Sequence, residues 1–156
     1  MKRLLIVAVA IVVLMVSGTA MAVDQATVTV TATVQGTCLF LGSKTATLAF
    51  PPLTAGGPDQ TASTTLSFWC SNGTVFALTD DSGLNDLAPG APRMASTTLG
   101  ITEHLPYTFT ATPSALVGGG LASPVTLTVG GSVLSADYSL RTADVYQDTI
   151  TFTVNP

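Results

Sequence analysis

From Ala26 onward the sequence alternates strictly, with Ala26, Val28, Val30, Ala32 and Val34 in one phase and Thr27, Thr29, Thr31 and Thr33 in the other. A period of two sends successive side chains to opposite faces of a strand, so the aliphatic set is the buried face and the threonines meet water. The end of the chain repeats the pattern, with Ile150, Phe152 and Val154 alternating with Thr149, Thr151 and Thr153. A chain written in this period at both ends is committed to sheet. Its threonine content points the same way, because β-branched side chains fit a pleated surface and lose rotamer freedom in helices. No amphipathic helix is legible after residue 22.

Between these ends the sequence predicts further short strands. Residues 45–50 form one, stopped by Pro51-Pro52, and residues 63–70 another, carrying Leu66, Phe68 and Trp69. Asn72-Gly73 predicts a tight hairpin turn, since both residues tolerate positive φ. The return strand is residues 74–79, with Phe76 and Leu78 in phase, and a polar loop follows from Asp80 to about Pro92. Strand character resumes at Leu105, Tyr107, Phe109 and Ala111, and again at Val125, Leu127 and Val129. Gly130-Gly131 predicts a turn, and Tyr138 with Leu140 a further short strand. About eight or nine short strands separated by turn signals predict an all-β sandwich.

The N-terminus reads as an export signal over residues 1–22. Lys2 and Arg3 precede an apolar run from Leu4 to Val16, and Ala20-Met21-Ala22 supplies small residues at a cleavage site. A spanning helix needs about 20 apolar residues, so this run is a cleaved signal and no membrane insertion is expected afterwards. Removing 22 of the 156 residues leaves 134, the size of one domain. That mature chain keeps Lys44, Arg93 and Arg141 against nine acidic side chains, a net charge of −6. Nucleic acid is excluded as a partner, because nothing here neutralises a row of phosphates. Export also sets the redox reading: Cys38 and Cys70 are expected to form a disulfide.

No catalytic set assembles, and the chain reads as structural rather than enzymatic, with no cofactor. His104 is the single histidine and reads as a solvated loop residue beside Glu103. The loop 80–86 gathers oxygen ligands of the kind calcium takes, but Ala91 stands where a bidentate Glu would be needed. The favoured reading is a polar connection whose Asp and Asn side chains bond their own backbone. Residues 118–120 read as a flexible glycine loop, and Asn72-Gly73-Thr74 matches a glycosylation acceptor as well as a turn. Trp69 is read as packing near the disulfide within the sandwich, in preference to a sugar-stacking platform.

Several segments together resemble a known family: Gly36-Thr37-Cys38, Leu48-Ala49-Phe50, Trp69-Cys70-Ser71-Asn72-Gly73-Thr74, Arg93-Met94, Leu105-Pro106-Tyr107-Thr108-Phe109, and the run from Val145 through Tyr146-Gln147-Asp148-Thr149 to Val154. In this order and at these spacings they look like a spore coat protein U (SCPU) domain, the fold of pilins from archaic chaperone-usher pili. Two departures stand out: Pro51-Pro52 where the family usually has glycine after Leu-x-Phe, and Asp144-Val145 where a glycine commonly precedes the late tyrosine.

The resemblance implies an immunoglobulin-like sandwich lacking its final strand, with a hydrophobic groove beside the last strand of the chain. It implies a periplasmic chaperone that fills the groove first and an outer-membrane usher where the N-terminal segment of the next subunit replaces it. On that reading residues 23–37 are a donor segment and residues 38–156 the pilin domain. Ala26, Val28, Val30, Ala32 and Val34 would be inserted into a neighbouring subunit, identical or related, and Ile150, Phe152 and Val154 would form the wall of the acceptor groove. The expected product is a cell-surface pilus serving adhesion or biofilm formation. The competing reading is a monomeric coat or carbohydrate-binding protein whose N-terminal strand folds back into its own sandwich.

Overall fold

The computed structural model describes residues 24–156; the expected signal peptide, residues 1–22, lies outside them, as does Val23. The chain divides into two units, Met1–Thr33 and Val34–Pro156. In the first, residues 24–33 belong to no strand or helix and every one is exposed. The expected strand over residues 26–34 is therefore not formed. A lone strand has no neighbour to satisfy its backbone groups, and alternation alone cannot hold it in a ladder.

The second unit is almost entirely β, and its longest strands are those with the cleanest alternation. In β2 (Gln60–Cys70), Ala62, Thr64, Leu66, Phe68 and Cys70 share one face. In β7 (Val125–Val133), Val125, Leu127 and Val129 are buried while Thr126 and Thr128 are exposed. These two pair antiparallel, Leu66 opposite Leu127, at the centre of a four-stranded sheet flanked by β1 (Cys38–Leu41) and β6 (Thr108–Pro113). A second sheet joins β3 (Ala77–Asp80) to β9 (Phe152–Asn155). A third places β4 (Arg93–Ser96) between β5 (His104–Pro106) and β8 (Tyr146–Gln147).

Phe68, Cys70, Phe76, Val125, Leu127 and Val129 make one buried cluster between the first two sheets. Phe76 meets Phe68 edge-on with ring centroids 4.9 Å apart. A second cluster, Leu105, Tyr107, Val133 and Tyr138, closes the other end. The all-β sandwich expected from the sequence is what forms.

Several local expectations are corrected. Asn72-Gly73 does turn, with the Thr74 N–H bonded to the Ser71 carbonyl at 3.0 Å, but the return strand β3 pairs with β9 instead of β2. Beyond the turn the chain crosses to the opposite sheet, where Phe76 enters the core. Gly130-Gly131 is no turn; both lie inside β7, and a Cβ at Gly131 would stand 2.7 Å from Leu48 Cδ2. The glycine gives Leu48 and Phe50 room to cross that strand. The expected strand from Leu105 to Ala111 breaks at Tyr107 into β5 and β6, which serve different sheets, and His104 begins β5 instead of sitting in a loop. Tyr138 ends a short helix, α1 (Ser135–Tyr138), and its hydroxyl donates to the Pro58 carbonyl at 2.8 Å.

Residues 118–120 are a packed element, not a flexible loop. Gly118 is buried and exchanges backbone hydrogen bonds with Gly73 and Thr74, both 2.8 Å, while the Gly120 N–H reaches the Cys70 carbonyl at 3.0 Å. A Cβ at Gly118 would come 2.6 Å from Cys70 Cβ. The glycines are there for close backbone approach over the disulfide. Trp69, adjacent in sequence to inward-facing Phe68 and Cys70, is half-buried on the outer face opposite Leu39 of β1, outside the core cluster.

Candidate assembly groove

Among the described residues β9 is hydrogen-bonded as a strand to β3 alone. In an antiparallel ladder each residue directs both its N–H and its C=O to one side, and successive residues alternate sides. Thr149 and Thr151 are committed to the β3 side: the Leu84 N–H donates to the Thr149 carbonyl at 2.9 Å, and the Asp81 N–H to the Thr151 carbonyl at 3.3 Å. The backbone groups of Ile150, Phe152 and Val154 therefore face the other, open edge. Their side chains are half-buried while Thr149, Thr151 and Thr153 are exposed, so the expected alternation holds. The regular strand starts only at Phe152, and Ile150 lies in its lead-in.

A second segment lines the same core without a ladder. Residues 45–50 read as a strand in the sequence, yet they are assigned to none. Leu48 and Phe50 are half-buried while Ala49 between them is exposed, the spacing of a strand with one face on a core. Leu48 borders the first cluster, as Phe152 and Val154 do; Phe50 borders the second, as Ile150 does. Two segments thus run along these clusters, residues 45–50 with no strand partner and β9 with none besides β3 among the described residues.

The Cys38–Cys70 disulfide fastens this region. The two residues are directly opposite in the β1–β2 register, and Cys70 is fully buried in the first cluster. Just before it, the Ser71 N–H donates to the Thr37 carbonyl at 2.8 Å and the Thr37 N–H to Ser71 Oγ at 3.1 Å. The point where the N-terminal segment leaves the body is accordingly fixed.

Asp148 holds the lead-in to β9, a role the sequence reading did not assign although it singled out Tyr146-Gln147-Asp148-Thr149. Its carboxylate accepts the Tyr107 hydroxyl at 2.7 Å, the Asn85 N–H at 3.1 Å and Asn85 Nδ2 at 3.0 Å. Burial, and then the Asp148 carboxylate, push the Tyr107 hydroxyl far above its ordinary range, so it stays a donor. Asp80 and Asp81 each accept the N–H two residues on, at 3.0 Å, which is the polar connection expected for this loop. Asp81 also accepts the Thr151 N–H at 2.9 Å, and that bond is the main reason its carboxyl lies below the usual carboxylate range. Asp144 accepts from Ser96 Oγ and from Thr98 Oγ1, and these hold its carboxyl at about 2.

Replacing Asp148→Ala strands the buried Tyr107 hydroxyl and releases Asn85. The expected cost is about 2 to 3 kcal/mol of stability, with the loop 80–92 loosened. Urea denaturation measures it; an unchanged midpoint and slope would contradict the role given to Asp148.

Among the described residues no group of three or more His, Cys, Asp or Glu side chains is placed to hold a metal ion, and no helix is long and apolar enough to cross a membrane. Compared with known proteins, the chain matches the family model described as the Spore Coat Protein U domain over residues 24–153. No curated protein and no solved structure matches it.

Proposed function

The chain belongs to the Spore Coat Protein U domain family, a pilus- and coat-type family of surface proteins, and on that premise we propose that it is a shaft subunit of a chaperone-usher pilus assembled by donor-strand exchange. The observation that carries the proposal is the open edge of β9. Ile150, Phe152 and Val154 offer it both backbone groups unpartnered among the described residues and half-covered apolar side chains, which is what an added strand recognises. The N-terminal segment supplies a strand of matching chemistry. Val28, Val30 and Val34 are 82, 88 and 90% exposed, apolar surface that a neighbour's groove would bury. Burying each valine contributes about 1.5 to 3 kcal/mol.

On this reading the partners are further copies or relatives of the subunit, a periplasmic chaperone that covers the groove before assembly, and an outer-membrane usher. The role is structural, in attachment or biofilm at the cell surface, and no catalysis is assigned.

Phase supplies the test. Because a one-residue slip turns every side chain to the other face, Val30→Asp is expected to stop fibre growth while Thr29→Asp leaves it running. Electron microscopy of exported material reads both. Equal effects at the two positions would remove the donor-strand reading.

A further inference from the structure

We propose a second interface between subunits, an apolar pole-to-pole contact in which Val75, Leu116, Val117 and Leu121 of one copy pack against Leu134 and Leu140 of the copy that receives its N-terminal segment. The inference rests on the donor-strand reading and extends it to surfaces outside the groove.

The argument begins with where the chain leaves the body. A Cβ placed on Gly36 would stand 3.1 Å from Thr74 Cγ2 and 3.6 Å from Pro156 Cβ, so the N-terminal segment departs beside the C-terminal end of β9. This is the disulfide pole, where Thr37 is bonded to Ser71 and the connection from β6 to β7 crosses Cys70. The other end of β9 is at the opposite pole: Ile150, in its lead-in, packs against the second cluster, which contains Val133 and, at the end of α1, Tyr138.

Direction follows from this placement. A donor parallel to β9 would finish at the acceptor's disulfide pole, where the acceptor's own N-terminal segment already departs. An antiparallel donor, the better-bonded arrangement, finishes at the α1 pole, and Val34 of the incoming copy then lies near the acceptor's Ile150. Val34 is two residues from Gly36, at most about 7 Å of chain. The disulfide pole of one copy is thereby drawn against the α1 pole of the next. This contact is head-to-tail and repeats along a fibre without closing.

Both poles carry apolar surface that the fold itself leaves uncovered. At the disulfide pole Val75 and Val117 are bridge partners, 71 and 47% exposed, flanked by Leu116 at 70% and Leu121 at 63%. Val117 and Leu121 flank the glycine element packed over Cys70, and Val75 follows Thr74, whose carbonyl accepts the Gly118 N–H at 2.8 Å. At the α1 pole Leu134 and Leu140 bracket the helix and are 49 and 85% exposed. Residues 71–76 and 114–125 of the first face carry no charged side chain, while Asp59, Asp137 and Arg141 rim the second, Asp59 bonded to the Ser135 N–H at 2.7 Å.

The test is photo-cross-linking in assembled fibres of the full chain. A benzoylphenylalanine at Leu116 or Leu121 is expected to cross-link neighbouring subunits, with the link mapping by mass spectrometry to the peptide that contains Leu134 and Leu140. The same group at Thr65, exposed on the outer face of β2, should give no such link. Fibres that form but link only within a subunit, or elsewhere, overturn the pole-to-pole contact and leave the donor strand standing. Failure of the unsubstituted chain to form fibres overturns the donor-strand reading and the contact with it.

Discussion

Deleting residues 23–34 is expected to yield a folded, disulfide-bonded body that forms no fibres. All nine strands among the described residues, both buried clusters and the Cys38–Cys70 bond lie in the unit Val34–Pro156, so the deletion removes nothing that holds the body together. It removes the whole apolar phase proposed for the next subunit, Ala26, Val28, Val30, Ala32 and Val34. Burial of Val28 and Val30 alone contributes on the order of 3 to 6 kcal/mol, and the lost backbone ladder adds to it. That is several orders of magnitude in association constant, since each 1.4 kcal/mol is tenfold. Sedimentation of the truncated and full-length proteins gives the answer, and fibres from the truncated chain would end the donor-strand account.

The second large effect is expected from removing the disulfide. Cys38 and Cys70 are 32 residues apart in sequence, and closing a loop of that size restricts the unfolded chain by roughly 3 to 4 kcal/mol on the chain-entropy model. Against a typical domain stability of about 5 to 15 kcal/mol, this is a large fraction. The double substitution Cys38→Ser with Cys70→Ser also places a hydroxyl in the fully buried site of Cys70. Its denaturation midpoint in urea should fall accordingly, and the reduced wild-type protein should fall with it. Unfolding free energies within about 1 kcal/mol of the oxidised wild type would show that the bond is no staple. The loss should reach function as well, because the bond fixes the point from which the N-terminal segment departs.

The faces of this fold were legible in the sequence, and its pairings were not. Alternation in residues 63–70, in Val125, Leu127 and Val129, and in Ile150, Phe152 and Val154 placed the right side chains toward the core, because a period of two reports sidedness directly. It says nothing about which strand lies alongside. Hence Asn72-Gly73 gave a correct turn and a wrong hairpin, and Gly130-Gly131 passed for a turn when the demand on it was space for Leu48 and Phe50. The helix α1 spans four residues, too few for a helical period to show.

The proposed groove was legible in part. Ile150, Phe152 and Val154 were marked by their own alternation, while the backbone edge they leave open among the described residues is visible only once Thr149 and Thr151 are seen bonded toward β3. Asp148 escaped assignment because its partners, Tyr107 and Asn85, are distant in sequence, and only the fold brings the three together.

The most direct test of donor-strand assembly is amide hydrogen exchange, followed in residues 26–34 and 150–155 for the monomer and for assembled material. The account predicts fast exchange of residues 26–34 in the monomer and strong protection of both segments in the fibre. Protection of residues 26–34 already present in a chaperone-free monomer, or free exchange of those residues within fibres, would contradict it.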